Sequence, residues 1–138
     1  MKKDEDIMLM LLDHYENPRN FGKLDDADIV KKAGNPSCGD LITIYLKIDK
    51  RGLIEDVKFD GEGCTISQSA MSILTEKIRG SYIDQLRSFS NDYIKEIIGE
   101  RLFNLRKECS TVGLNVIKKA LKQWDLSKDR EKLDAYQR

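Results

Sequence analysis

The chain has 138 residues and a mass of 15.9 kDa, the size of one ordinary domain, with 40% apolar and 35% charged residues. Its 24 basic and 24 acidic side chains cancel, which argues against a broadly basic nucleic-acid surface. The longest apolar run, Ile7–Leu12, has six residues, far short of the roughly 20 that a membrane span needs.

The acidic start Asp4-Glu5-Asp6 does not read as a secretory signal. The expected compartment is the cytosol, with neither nucleic acid nor membrane as a partner. Residues 5–16 place Ile7, Met8, Leu11, Leu12 and Tyr15 on one helical face, with acids at the N-terminal end where the helix dipole favours them. Pro18 and Gly22 end that helix. Residues 23–37 are polar and loop-like, with Ile29-Val30 as a short edge strand. From 41 to 48 the pattern alternates, Ile42, Ile44, Leu46 and Ile48 to one side, and predicts a half-covered strand. Asp49–Gly52 is a turn, and Leu53–Phe59 supplies the antiparallel partner.

Gly61-Glu62-Gly63 is expected to break that strand. Ile66, Ala70, Ile73, Leu74 and Ile78 then keep helical spacing up to Gly80. Residues 82–87 and 90–98 predict two short helices closed by Gly99. A last helix from about 107 buries Val112, Val116, Ile117, Ala120, Leu121 and Trp124. The predicted class is α+β: a small antiparallel sheet with helices packed on one face. Residues 1–124 form a single domain in this reading, and 125–138 a charged tail that frays or continues as a solvated helix.

The three cysteines fall at element edges. Cys38 and Asp40 precede the first long strand, Cys64 sits between the second strand and the following helix, and Cys109 opens the last helix. An odd count is poor material for a disulfide framework in a reducing compartment. The start of one hairpin strand and the end of its partner are neighbours, so Cys38, Asp40 and Cys64 can converge. A helix N-terminus favours the thiolate of Cys64. Thiolates with a carboxylate suit zinc, or iron with sulfide. Unrelated thiols remain the alternative, because no CxxC pair is present.

The sequence resembles the U-type iron–sulfur cluster assembly proteins, the IscU/SufU family and the N-terminal domain of NifU. The resemblance rests on Asp13-His14-Tyr15-Glu16-Asn17-Pro18-Arg19-Asn20, on Cys38-Gly39-Asp40, on Gly61-Glu62-Gly63-Cys64-Thr65-Ile66-Ser67, and on Cys109. These occur in family order across about residues 7–124. The resemblance implies a scaffold or sulfur acceptor that takes persulfide sulfur from a cysteine desulfurase of the SufS/IscS/NifS kind and serves recipient apo iron–sulfur proteins. It makes Cys38, Cys64 and Cys109 the site cysteines and Asp40 the site aspartate, holding Zn2+ or a [2Fe–2S] cluster.

The chain departs from IscU at two places. Glu108 stands where IscU-type members have a histidine, and Leu102-Phe103-Asn104-Leu105 where they have a Pro-Pro-Val-Lys chaperone-recognition stretch. The missing histidine, with Arg106 and the Gly-Glu-Gly-Cys-Thr-Ile-Ser run, gives it a SufU-like flavour. The 45-residue step from Cys64 to Cys109 is shorter than is usual in SufU-type members.

His14, the only histidine, is expected to be structural, donating to a backbone carbonyl or capping its helix. Glu108 is expected to be a solvated carboxylate, with replacement of the family histidine as a ligand the sharper alternative. Trp124 reads as core. No nucleophile–base–orienter set is visible, so a relay or scaffold is expected in preference to a free-standing enzyme. The competing functional class is a structural zinc-binding interaction module without cluster transfer. A thiol redox sensor is the third. SufU-type members use the first cysteine as sulfur acceptor. Glu108 beside Cys109 and the loop position of Cys38 make Cys38 the expected persulfide acceptor here.

Overall fold

The alternating apolar residues of 41–48 become the central strand of a three-stranded antiparallel sheet. The computed structural model describes residues 4–35 and 39–137. The strands are β1 (Ile29–Asn35), β2 (Asp40–Ile48) and β3 (Ile54–Glu62), in the order β1-β2-β3. Around them run α1 (Asp4–Glu16), α2 (Thr65–Ile78), α3 (Ile83–Leu86), α4 (Asn91–Ile98), α5 (Glu100–Leu105) and α6 (Lys107–Gln137). Ile42, Ile44, Leu46 and Ile48 are buried on the face that α2 and α6 cover, while Leu41 on the other face is exposed. Fully burying each such side chain contributes roughly 1.5–3 kcal/mol. The α+β class with helices on one face is therefore the observed one.

Three elements differ from the sequence expectation. β1 is a full strand, not the two-residue edge piece within a loop, and pairs with β2 from Ile29↔Leu46 to Asn35↔Asp40. Its lysines suit an edge strand, where charge discourages further pairing. Gly61 and Glu62 do not break β3 but belong to it, paired with Ile42 and Leu41. Gly61 has φ +145, and a Cβ there would overlap the Leu41 carbonyl oxygen, so only glycine lets the ladder continue. An additional helix, α5, follows Gly99 and is anchored by buried Phe103.

The packed face of α1 also differs. Ile7, Leu11 and His14 are buried, while Met8 (55%), Leu12 (47%) and Tyr15 (45%) stay exposed. Both stripes have helical spacing, and contact with α2 selects the one containing the histidine. α2 is enclosed along almost its whole length, Ser67 through Thr75 being buried. Its small polar side chains are satisfied locally. The Ser69 hydroxyl donates to the Leu11 carbonyl at 2.6 Å, and Ser72 Oγ accepts from the Arg19 N–H at 2.8 Å.

His14 Nδ1 lies 2.8 Å from Ser72 Oγ and Nε2 lies 3.5 Å from Glu76 Oε1. Its partners are thus side chains of α2, not a backbone carbonyl or the end of its own helix, and it ties α1 to α2. α6 continues to Gln137 without a break at residue 125. Arg87 holds Asp125 with two hydrogen bonds of 2.9 and 2.6 Å, and Lys128 stands 4.5 Å from the Trp124 ring centre. Among the described residues, no helix is long and apolar enough to cross a membrane.

Burial, followed by the nearby Arg19 charge, lowers the His14 pKa, against a smaller raising effect of Glu76 and Asp13. The unfolded chain therefore takes up the imidazole proton first as pH falls below the ordinary value of about 6.5. The stability from neutral His14 is complete above that value and is lost as pH falls towards the folded-state pKa. Thermal melts between about pH 7.5 and 5.5, bracketing that value, are expected to show a smaller acid-side loss of Tm in His14→Gln than in the wild type. An equal loss in both would contradict this assignment.

Candidate metal centre

Cys64 is the N-cap of α2, with φ −77 and ψ 169, and its Sγ accepts from the Ser67 N–H at 3.5 Å. This is the ordinary N-cap bond, made here by sulfur in place of oxygen. Asp40 is the first residue of β2, and β2 runs beside β3, which ends two residues before Cys64. Its carboxylate reaches across: Oδ1 accepts from the Cys64 N–H at 3.0 Å and from the Ser67 hydroxyl at 3.0 Å. Two glycines make this approach feasible. A Cβ on Gly63 would overlap Asp40 Oδ1 and Ser67 Oγ, and one on Gly34 would stand 2.8 Å from the Asp40 carbonyl oxygen.

Cys109 arrives from the other side of the chain, in the first turn of α6. One turn later Gly113 lets α6 press against α2, where a Cβ would lie 2.8 Å from Met71 Sδ and 3.1 Å from Leu74 Cδ1. A carboxylate oxygen of Asp40 and the sulfurs of Cys64 and Cys109 consequently lie within 4.8 Å of one another. Among the described residues this is the group of three able to hold a metal ion. Cys38, the remaining expected ligand, lies outside the described residues. His14 sits on Ser72 instead of joining this group. Glu108 is exposed on α6 and does not join it either.

The donor set fits a cation. Asp40 is 3% exposed, and Oδ2 is buried without a hydrogen-bond partner among the described residues. An unpaired buried carboxylate oxygen is costly unless a cation or donor meets it. Two thiolates on one zinc, each about 2.3 Å away, are about 3.8 Å apart in tetrahedral geometry, so the present spacing needs only small side-chain adjustments. Zinc here would be held by Asp40, Cys64 and Cys109 plus one further ligand. Beside the site, a cleft of about 500 Å³ opens between β1 and α6, lined by Gly34, Glu108, Asn115 and Lys118 among others.

Ser67 had no role in the sequence reading. The available signal was its place three residues after an N-cap, where a hydroxyl can turn back towards the cap and its neighbours.

Comparison with known proteins agrees with this geometry. A family model described as the NifU-like N terminal domain matches residues 8–131. The iron–sulfur cluster assembly scaffold protein IscU 1 of Archaeoglobus fulgidus is 39% identical over 111 residues, covering 80% of this chain and 71% of the relative. The zinc-dependent sulfurtransferase SufU of Bacillus subtilis is 34% identical over 129 residues, covering 81% and 86%. Among solved structures, a candidate iron–sulfur cluster assembly scaffold for the SUF system from Fervidobacterium islandicum matches with a TM-score of 0.70 at 26% identity, covering 81% of this chain and 93% of that one.

Gly63→Ala is expected to push Asp40 and Ser67 apart and to weaken zinc binding at least about tenfold, the low end for disturbing groups that orient a ligand. Competition with a chromogenic chelator measures this. Wild-type affinity in the variant would show that the Asp40–Ser67 contact does not shape the site.

Proposed function

The chain belongs to the NifU-like N-terminal domain family, and from that membership we propose that it receives sulfur from a cysteine desulfurase and builds or relays iron–sulfur cargo. Zinc is the resident metal in this reading, held by Cys38, Asp40, Cys64 and Cys109. The observation that carries it is the convergence of the Asp40 carboxylate with two thiols from separate elements, one carboxylate oxygen being buried and unpartnered. Bound zinc would hold the thiolates deprotonated and in place.

The chemistry is thiol exchange. A thiolate of this chain attacks the outer sulfur of the desulfurase persulfide, a new S–S bond forms here, and the old S–S bond breaks. The electron pair leaves on the desulfurase thiolate. The chain's own residues orient the nucleophile and hold the product; the desulfurase supplies the sulfane sulfur. Asp40, a single oxygen donor among sulfurs, is the more replaceable ligand. That allows cargo to leave for recipient apo proteins. The same reading places the work in the cytosol, where thiols stay reduced.

Cys38 is proposed as the first acceptor. Two observations support it: Cys109 is only 3% exposed, and Cys64 is fixed as the N-cap of α2. Neither position favours attack on a partner's persulfide. The neighbouring Gly39 is exposed, with φ +69 and open space around a would-be Cβ. The reading is SufU-like, in keeping with Glu108 at the place of the IscU histidine.

In a single-turnover assay with a desulfurase and cysteine, intact-protein mass spectrometry is expected to show one added sulfur on the wild type and none on Cys38→Ser. Retention of the sulfur in Cys38→Ser, together with its loss in Cys109→Ser, would contradict the assignment.

A further inference from the structure

We propose that Ser67 is a positioning residue that restricts Asp40 to a single metal-facing oxygen and so fixes the coordination number of the site. The inference rests on the metal-site reading above and adds to it a residue and a rule. Ser67 is 1% exposed and sits in the first turn of α2. Its hydroxyl proton has two acceptors, Asp40 Oδ1 at 3.0 Å and the Cys64 carbonyl oxygen at 3.1 Å, while the Cys64 thiol points its own proton at Ser67 Oγ from 3.7 Å. The carboxylate is the stronger acceptor of the two, because a bond to a charged group is roughly twice as strong as a neutral one.

The Cys64 N–H donates to the same Oδ1 at 3.0 Å. Oδ1 thus has a donor for each of its two lone pairs, while Oδ2 is buried and has none among the described residues. A bidentate carboxylate would need an Oδ1 lone pair for the metal and would have to displace at least one of these donors. Asp40 therefore offers Oδ2 alone.

A monodentate Asp40 with the sulfurs of Cys64 and Cys109 makes three donors, which leaves one place of a tetrahedral zinc for a further ligand. It does not suit the six to eight oxygen ligands of calcium or the six of magnesium. Gly63 is part of the same device, since any Cβ there would overlap both Oδ1 and Ser67 Oγ. The anchored Oδ1 also keeps Asp40 beside the metal when Oδ2 lets go, so the ligand leaves and returns without the strand moving.

The test uses the full chain loaded with cobalt(II) in place of zinc, together with zinc affinity by chelator competition. Ser67→Thr keeps the hydroxyl, Ser67→Val has the same shape without it, and Ser67→Ala removes it without adding volume. Wild type and Ser67→Thr are expected to give the intense visible bands of four-coordinate cobalt. Ser67→Val and Ser67→Ala should show weaker bands of higher coordination and zinc affinity lower by about 10–100-fold.

Wild-type spectra and affinity in Ser67→Val and Ser67→Ala would overturn the proposal. So would a Ser67→Thr variant that behaves like Ser67→Val, because shape would then matter and the hydroxyl would not. Asp40→Ala separates the two levels. If it leaves the cobalt spectrum unchanged, Asp40 is no ligand and the underlying site reading fails. If it changes the spectrum while the Ser67 variants do not, only the role of Ser67 fails.

Discussion

One carboxylate, almost shut off from water, joins the start of β2 to the start of α2. Asp40 Oδ1 takes the N–H of Cys64 and the hydroxyl of Ser67, and through them fixes where the helix begins relative to the sheet. Hydrogen bonds to a charged group contribute about 1.5–3 kcal/mol each, whereas burying an unpaired ion costs several kcal/mol. The two bonds serve one oxygen and leave the other without compensation. The structure is consequently poised for a cation at that position, and the two neighbouring thiols determine which cations suit it.

The rest of the fold keeps those three groups within reach. The antiparallel ladder places the first residue of β2 beside the end of β3, and the chain then turns directly into α2. Enclosure of α2 by α1, the sheet and α6 fixes its rotation about its axis, so Cys64 cannot turn away. Gly113 sets how closely α6 approaches and brings Cys109 in. A metal held by Asp40, Cys64 and Cys109 would therefore cross-link β2, α2 and α6. Ligand present at a thousand times its Kd would stabilise that arrangement by about 4 kcal/mol, comparable with the whole stability of a marginal domain.

Much of this was legible in the sequence, for identifiable reasons. The period-2 pattern of Ile42, Ile44, Leu46 and Ile48 defined β2 because all four side chains share the face that the helices cover. Asp40 and Cys64 could be placed together because a hairpin returns its ends to one place. The approach of Cys109 to that end had no such local warrant; it depends on a glycine–methionine contact between two helices and was available only through the family resemblance.

β1 was masked by Lys31 and Lys32, since an edge strand takes its order from the neighbour it pairs with and not from its own apolar content. On α1 two stripes had equal helical spacing, and the polar His14 made the correct one look less like core. Ser67 was invisible for a related reason: its worth lies in a bond to a residue 27 positions away.

The central claim is that a carboxylate and cysteine thiolates of this chain share one metal. X-ray absorption at the zinc edge of the zinc-loaded protein tests it most directly. The expected shell is three sulfurs at about 2.3 Å and one oxygen at about 2.0–2.2 Å, with the oxygen contribution lost or replaced in Asp40→Ala. A shell of nitrogen and oxygen alone, or of four sulfurs unaffected by the Asp40 substitution, would contradict it.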